Sequence, residues 1–169
     1  MLRLLAPDRQ VESVTEIDLP GLRSLGIRAL LVDLDNTLLA WNHQEMTSEV
    51  RQWVARARDL GFQLCLVSNA ARKRLTVQAE QLGIPCVPSA QKPRRRALRR
   101  ALYILGVTPR QAAMVGDQVF TDVLAGNRLG LYTILVIPMH LKEQWWMHLV
   151  RRVESWVIWW FQATSQRWR

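Results

Sequence analysis

From Ala29 onward, short apolar runs alternate with amphipathic stretches, and this alternation predicts the elements. Ala29-Leu30-Leu31-Val32 is an unbroken apolar run ending at Asp33, the pattern of a strand buried on both faces. Between Thr47 and Leu60, the residues Val50, Trp53, Val54 and Ala57 recur at helical spacing, with Gly61 as a stop. Phe62 to Val67 predicts a second buried strand ending at Ser68-Asn69. Ala71 to Leu82 predicts a helix closed by Gly83, and Cys86-Val87 a short extended piece. Pro93 to Leu105 predicts a strongly basic helix with proline in its first turn and Gly106 after it. Ala112 to Val115 predicts a third strand ending at Gly116-Asp117. Val119 to Leu129 predicts a helix stopped by Gly130, and Leu131 to Val136 a further strand.

Such alternation predicts an α/β fold, a parallel sheet with helices on both faces. In sheets of this kind the chemistry lies beyond the carboxyl ends of the strands. Those ends carry Asp33, Ser68 and Asp117, so three polar residues are expected to converge on one edge.

The polar residues that follow the strands suit phosphoryl transfer. A carboxylate such as Asp33 can attack phosphorus and form an acyl phosphate, splitting one hard step into two. A second carboxyl two residues on, Asp35, can protonate the leaving oxygen and later take a proton from water. Clustered carboxylates facing an anionic substrate call for a cation, and Mg²⁺ prefers oxygen ligands and bridges carboxylate to phosphate. A lysine such as Lys92 and a hydroxyl such as Ser68 can hold phosphate oxygens where charge accumulates.

In order along the chain stand Leu31-Val32-Asp33-Leu34-Asp35-Asn36-Thr37, Leu66-Val67-Ser68-Asn69, Lys92-Pro93 and Val115-Gly116-Asp117-Gln118-Val119-Phe120-Thr121-Asp122. This set resembles the four motifs of the haloacid dehalogenase (HAD) superfamily of phosphatases. The resemblance implies a Rossmann-like three-layer core. It implies Asp33 as nucleophile and Asp35 as general acid/base, with Ser68, Asn69 and Lys92 binding the phosphoryl group. It further implies Mg²⁺ held by Asp33, Asp117 and the backbone carbonyl of Asp35, with Thr37 and Asp122 in support. Gln118 stands where many members have a second acid. The gaps from Thr37 to Ser68 and from Ser68 to Lys92 are too short for a lid domain, like those of capless members, so an open site that admits large substrates is expected.

A narrower resemblance runs through Leu4-Leu5-Ala6-Pro7, Ile17-Asp18-Leu19, Gly26 to Leu30 and Gly116-Asp117-Gln118. These segments look like the YqeG-type group of subfamily IIIA, which is similar to phosphatidylglycerophosphate phosphatases. The implied reaction removes the terminal phosphate of that lipid to give phosphatidylglycerol.

Composition refines the picture. With 169 residues, 49% hydrophobic and 22% charged, one globular domain is expected, assigned to residues 1–140. The formal charge of +9 favours anionic partners: phosphorylated substrates, acidic lipid or nucleic acid. Nucleic acid is disfavoured, because no aromatic-basic RNA-binding signature accompanies the charge and the acidic set is intact. Cys65 and Cys86 sit in apolar surroundings without metal-like spacing and read as buried free thiols of a cytoplasmic protein. The apolar run at the start is too short for a signal peptide. Residues 141–169 hold six of the eight tryptophans. There Trp145, Leu149, Val153, Trp156 and Trp160 form a helical stripe beside Arg151 and Arg152. An amphipathic helix on an anionic membrane surface is expected there, with docking on the domain or pairing with another subunit as the alternatives. The expected substrate is therefore an anionic phospholipid met at the membrane. A protein or a soluble phosphometabolite is the alternative substrate, and the oligomeric state is left open.

Overall fold

The apolar run at residues 29–32 forms β2 (Ala29–Val32), and all of it is buried. A computed structural model describes residues 2–40, 43 and 45–137 of the chain. Around β2 lie β3 (Gln63–Val67), β4 (Cys86–Val87), β5 (Ala112–Gly116), β6 (Tyr132–Val136) and β1 (Arg9–Val11). The sheet order is β1-β6-β5-β2-β3-β4, and every pair is parallel. From β2 the chain moves outward to β3 and β4, then crosses back to β5 on the other side of β2. That reversal opens a crevice at the carboxyl ends of β2 and β5, the place where such sheets bind ligands.

Among the described residues, the α-helices are α1 (Leu19–Ser24), α2 (Ser48–Asp59), α3 (Arg72–Leu82), α4 (Arg96–Leu105) and α5 (Leu124–Asn127). Their ends follow local chemistry. The Thr47 hydroxyl accepts from the Val50 N–H at the start of α2. α3 and α4 end on Gly83 and Gly106 in the left-handed region, at φ 62° and 64°.

Alternate residues of each strand serve opposite faces. Leu30, Val32, Leu64, Leu66, Val115 and Ile134 pack with Trp53, Val54 and Ala57 of α2 and Leu75 and Ala79 of α3. Leu31, Cys65, Val67 and Met114 pack with Leu98, Ala101, Leu102 and Leu105 of α4. Leu30 and Leu31 are both fully buried, which stabilises by about 1.5–3 kcal/mol per side chain. These layers are the expected α/β core.

Several expectations need correction. The basic helix begins at Arg96, not Pro93; Pro93 follows a cis Lys92–Pro93 peptide in the preceding turn. The segment from Val119 is not one α-helix: a π-helical turn, Val119–Val123, leads into α5, which stops at Asn127. Cys86 is only half-buried, while Cys65 is buried and its thiol is pushed up to about 12 by burial and then by Cys86. Residues 2–28, to which the apolar pattern assigned no element, include the edge strand β1 and the helix α1. No described helix is long and apolar enough to cross a membrane. The expected boundary at residue 140 and the amphipathic helix over 141–169 lie outside the described residues.

Candidate active site

Register places the expected residues together. Val32 lies opposite Leu66 on one side and Val115 on the other. One residue further, the Asp33 N–H donates to the Val115 carbonyl at 2.9 Å. Asp33 therefore stands between the ends of β3 and β5, with Ser68 and Asp117 just past them. Beyond Asp33 the chain turns tightly: the N–H groups of Leu38 and Leu39 both donate to the Leu34 carbonyl at 3.0 Å. Asn36, at φ 58°, takes the left-handed conformation that asparagine tolerates better than most residues.

Lys92 reaches into this crevice and is 6% exposed. Its ammonium donates to Asp33 Oδ1 at 2.6 Å and to the Val67 carbonyl at 2.8 Å, and ion-pairs with Asp122 Oδ1 at 2.6 Å. Two hydrogen bonds and one ion pair thus hold the ammonium in place. Burial alone lowers the Lys92 pKa, but the Asp122 and Asp33 charges outweigh it and the pKa is raised. The Asn69 amide holds the backbone of Lys92, accepting from its N–H at 2.9 Å and donating to its carbonyl at 3.4 Å. Asn69, expected on the phosphate, thus spends its side chain on positioning the lysine. Ser68 is buried, and its hydroxyl oxygen accepts from the Ala70 N–H at 3.1 Å. It does not cap α3, whose first residues follow Ala71 without a side-chain cap.

Carboxylate oxygens of Asp33, Asp117 and Asp122 lie within 4.8 Å of one another, all three residues buried. Burial, then the charges of Asp33 and Asp122, push the Asp117 pKa up to about 7. Burial pushes Asp122 up to about 6, with the Lys92 charge opposing and the Asp33 charge adding to the rise. Asp117 Oδ2 accepts from the Asn36 amide at 3.3 Å, but its Oδ1 is buried with no hydrogen-bond partner. An oxygen-only cluster with an orphaned carboxylate oxygen fits a hard divalent cation such as Mg²⁺. The Thr37 hydroxyl is likewise buried without a partner.

Asp35 was expected to offer the cation its backbone carbonyl; its carboxylate lies outside the cluster, which Asp122 joins. Asp35 Oδ1 is instead 3.0 Å from the Arg74 guanidinium of α3. Its pKa is raised: burial and the Asp33 charge outweigh the pull of Arg74 and Lys92. That shift suits a group that gives up a proton.

Sequence reasoning missed three contributors. Arg74 lies on α3, just past the Ser68-Asn69 motif but outside it, and only its place near the start of that helix could have suggested it. Asn36 stood inside the first motif, but its bond to Asp117 spans 81 positions. Gly116 is needed because a Cβ there would lie 2.3 Å from the Asp122 carboxylate.

A parallel sheet with a lysine and a carboxylate cluster at its switch point suits phosphoryl transfer. The chain belongs to the haloacid dehalogenase-like hydrolase family, whose model matches residues 9–130. It is a phosphatase. It is 31% identical over 156 residues to "Probable phosphatase YqeG" of Bacillus subtilis, covering 92% of this chain and 91% of that one. It is 28% identical over 163 residues to the chloroplastic/mitochondrial phosphatidylglycerophosphate phosphatase 1 of Arabidopsis thaliana. That match covers 90% of this chain but only 47% of the plant protein. Among solved structures, cobalt-bound deoxy-D-mannose-octulosonate 8-phosphate phosphatase (YrbI) from Haemophilus influenzae has the same fold. The TM-score is 0.55 at 18% identity, over 70% of this chain and 74% of that one.

Proposed function

We propose that this phosphatase hydrolyses phosphatidylglycerophosphate through an aspartyl-phosphate on Asp33, with Mg²⁺ as its cofactor. The observation that carries the chemistry is the buried Lys92 ammonium shared by Asp33 and Asp122 beside the orphaned Asp117 oxygen. Similarity to the plant lipid phosphatases supports the substrate.

Asp33, Asp117 and Asp122 would hold the cation, and the backbone carbonyl of Asp35 is a further candidate ligand. Bound there, Mg²⁺ supplies positive charge that offsets these carboxylates and the phosphate. A carboxylate oxygen of Asp33 forms a bond to phosphorus while the phosphorus–ester oxygen bond breaks. Asp35, whose pKa is raised chiefly by burial, is the group placed to give a proton to the departing oxygen. Lys92 and the Ser68 hydroxyl stabilise the non-bridging oxygens. In the second half, Asp35 accepts a proton from water, the water oxygen bonds to phosphorus, and the bond to Asp33 breaks. Inorganic phosphate leaves and Asp33 is regenerated. Arg74 steadies the Asp35 carboxylate between the two proton transfers.

The test is phosphate release from phosphatidylglycerophosphate in mixed micelles, with Mg²⁺ or EDTA. The wild type should release phosphate in Mg²⁺ only, and far faster than from soluble monoesters. Asp33→Asn should lower the rate by on the order of 10⁴-fold or more. Release from a generic ester but not from the lipid would keep the mechanism and discard the substrate.

A further inference from the structure

α4 buries Ala97, Leu98, Ala101, Leu102 and Leu105 and exposes its arginines. Arg96 and Arg100, four residues apart, lie on the same side of the helix. With Arg94, Ser89 and Gln91 they line a cavity of about 310 Å³ between α4 and the loop after β4. No carboxylate lines it. None of the three arginines is ion-paired to a carboxylate among the described residues. Arg94 donates to the Gln91 side-chain oxygen at 2.9 Å, which leaves the Gln91 amide hydrogens for a ligand. Along the chain, Gln91 and Arg94 of this cavity flank the Lys92–Pro93 pair, and the Lys92 ammonium bonds Asp33.

We propose that this cavity is a second anion site that takes the phosphodiester of a phospholipid headgroup while the monoester lies against Lys92. The inference rests on the lipid reading of the substrate and assigns its headgroup a second contact. Guanidinium groups grip phosphate oxygens in paired hydrogen bonds, and a wall with three arginines and no carboxylate selects anions. A cavity of this size holds a glycerophosphate unit. No aromatic side chain lines it, so it offers no platform for stacking bases. Two sources supply the same chemistry: the substrate's own phosphodiester, one glycerol away from its monoester, or a neighbouring lipid of an anionic bilayer.

The experiment uses the full chain as wild type, Arg96→Ala/Arg100→Ala and Arg96→Lys/Arg100→Lys. Both positions are exposed, and hydrolysis of p-nitrophenyl phosphate reports that the fold and the catalytic crevice are intact. In one arm, KM is measured for the deacylated, soluble headgroup that carries both phosphates. In the other, the protein is sedimented with vesicles of equal parts phosphatidylglycerol and phosphatidylcholine. A KM raised about 10-fold or more in the alanine variant, with p-nitrophenyl phosphate unaffected and the lysine variant between, assigns the site to the substrate's own phosphodiester. A vesicle partition coefficient that falls by a similar factor with KM unchanged assigns it to neighbouring lipid. Unchanged KM together with unchanged sedimentation overturns the site. So does loss of binding to an RNA oligonucleotide with vesicle binding intact, which would make the cavity a nucleic-acid contact. If the wild type hydrolyses neither lipid nor headgroup, the substrate reading fails. The sedimentation arm then decides the cavity alone, and a wild type that does not bind the vesicles overturns it.

Discussion

Lys92 is the residue on which the site turns. It is buried, and its ammonium is the positive charge between Asp33 and Asp122. Lys92→Met would keep much of the volume but leave those carboxylates facing each other in a dry crevice. Removing one partner of a buried ion pair costs about 3–5 kcal/mol. Urea denaturation should show a loss of that order, together with loss of turnover; an unchanged midpoint would mean that water reaches the carboxylates freely. Asp33, Ser68 and Asp117 were legible in the sequence because they follow strand ends that the apolar pattern marks, and Asp35 and Lys92 because they fall in the four motifs. The partners of those residues were not. Arg74 and Asn36 act through contacts between segments far apart in sequence, and periodicity along one segment carries no information about which other segment it meets.

At the scale of elements, α2, α3 and the central strands were readable because each has a clear period and a glycine or a cap at its end. β1 was not, since Arg9–Val11 is short, polar and mostly exposed. What fixes it is a clasp rather than a pattern. Asp8 Oδ2 accepts from the Thr133 N–H at 2.8 Å and from its hydroxyl at 3.0 Å, and Thr133 is fully buried. Asp8→Ala should therefore leave a buried N–H unpaired and cost about 1–3 kcal/mol, read by thermal or urea denaturation. The start of α4 was misplaced for a related reason: proline suits the first turn of a helix, but here the chain uses Pro93 to turn before the helix begins. The π-helical turn at Val119–Val123 also left no periodic signal, yet it carries Asp122 to Lys92. Gly116→Ala tests that geometry, because the added Cβ has no space beside the Asp122 carboxylate. It should destabilise the fold by about 1–3 kcal/mol and lower kcat, checked by denaturation and steady-state kinetics on one preparation.

At the scale of the whole molecule, the carboxylate cluster sets stability against function, and pH exposes the trade. Burial raises Asp117 to about 7 and Asp122 to about 6, above the ordinary value of 3.8. A carboxyl whose folded pKa is raised binds its proton more tightly in the folded chain than in the unfolded one. Its contribution to stability is therefore fully present below the unfolded pKa and is lost as pH rises through the folded pKa. The metal-free protein should lose stability between about pH 4 and pH 7, as these side chains become charged against Asp33. A divalent cation binds only the deprotonated cluster, so its affinity should rise over the upper part of that range, most steeply between about pH 6 and pH 7. The two effects predict opposite slopes. Melting temperatures in EDTA should fall from pH 5 to pH 8, while the gain on adding Mg²⁺ should be small at pH 5 and large at pH 8. Asp117→Asn separates this from a general pH effect. It removes the group with the highest of these raised values, so it should melt higher than the wild type in EDTA at pH 8, by on the order of 1 kcal/mol in stability, and lose most of the Mg²⁺ gain. If the wild type gained equally from Mg²⁺ at pH 5 and pH 8, the cation would be bound elsewhere, and the case for Asp33, Asp117 and Asp122 as its ligands would fall.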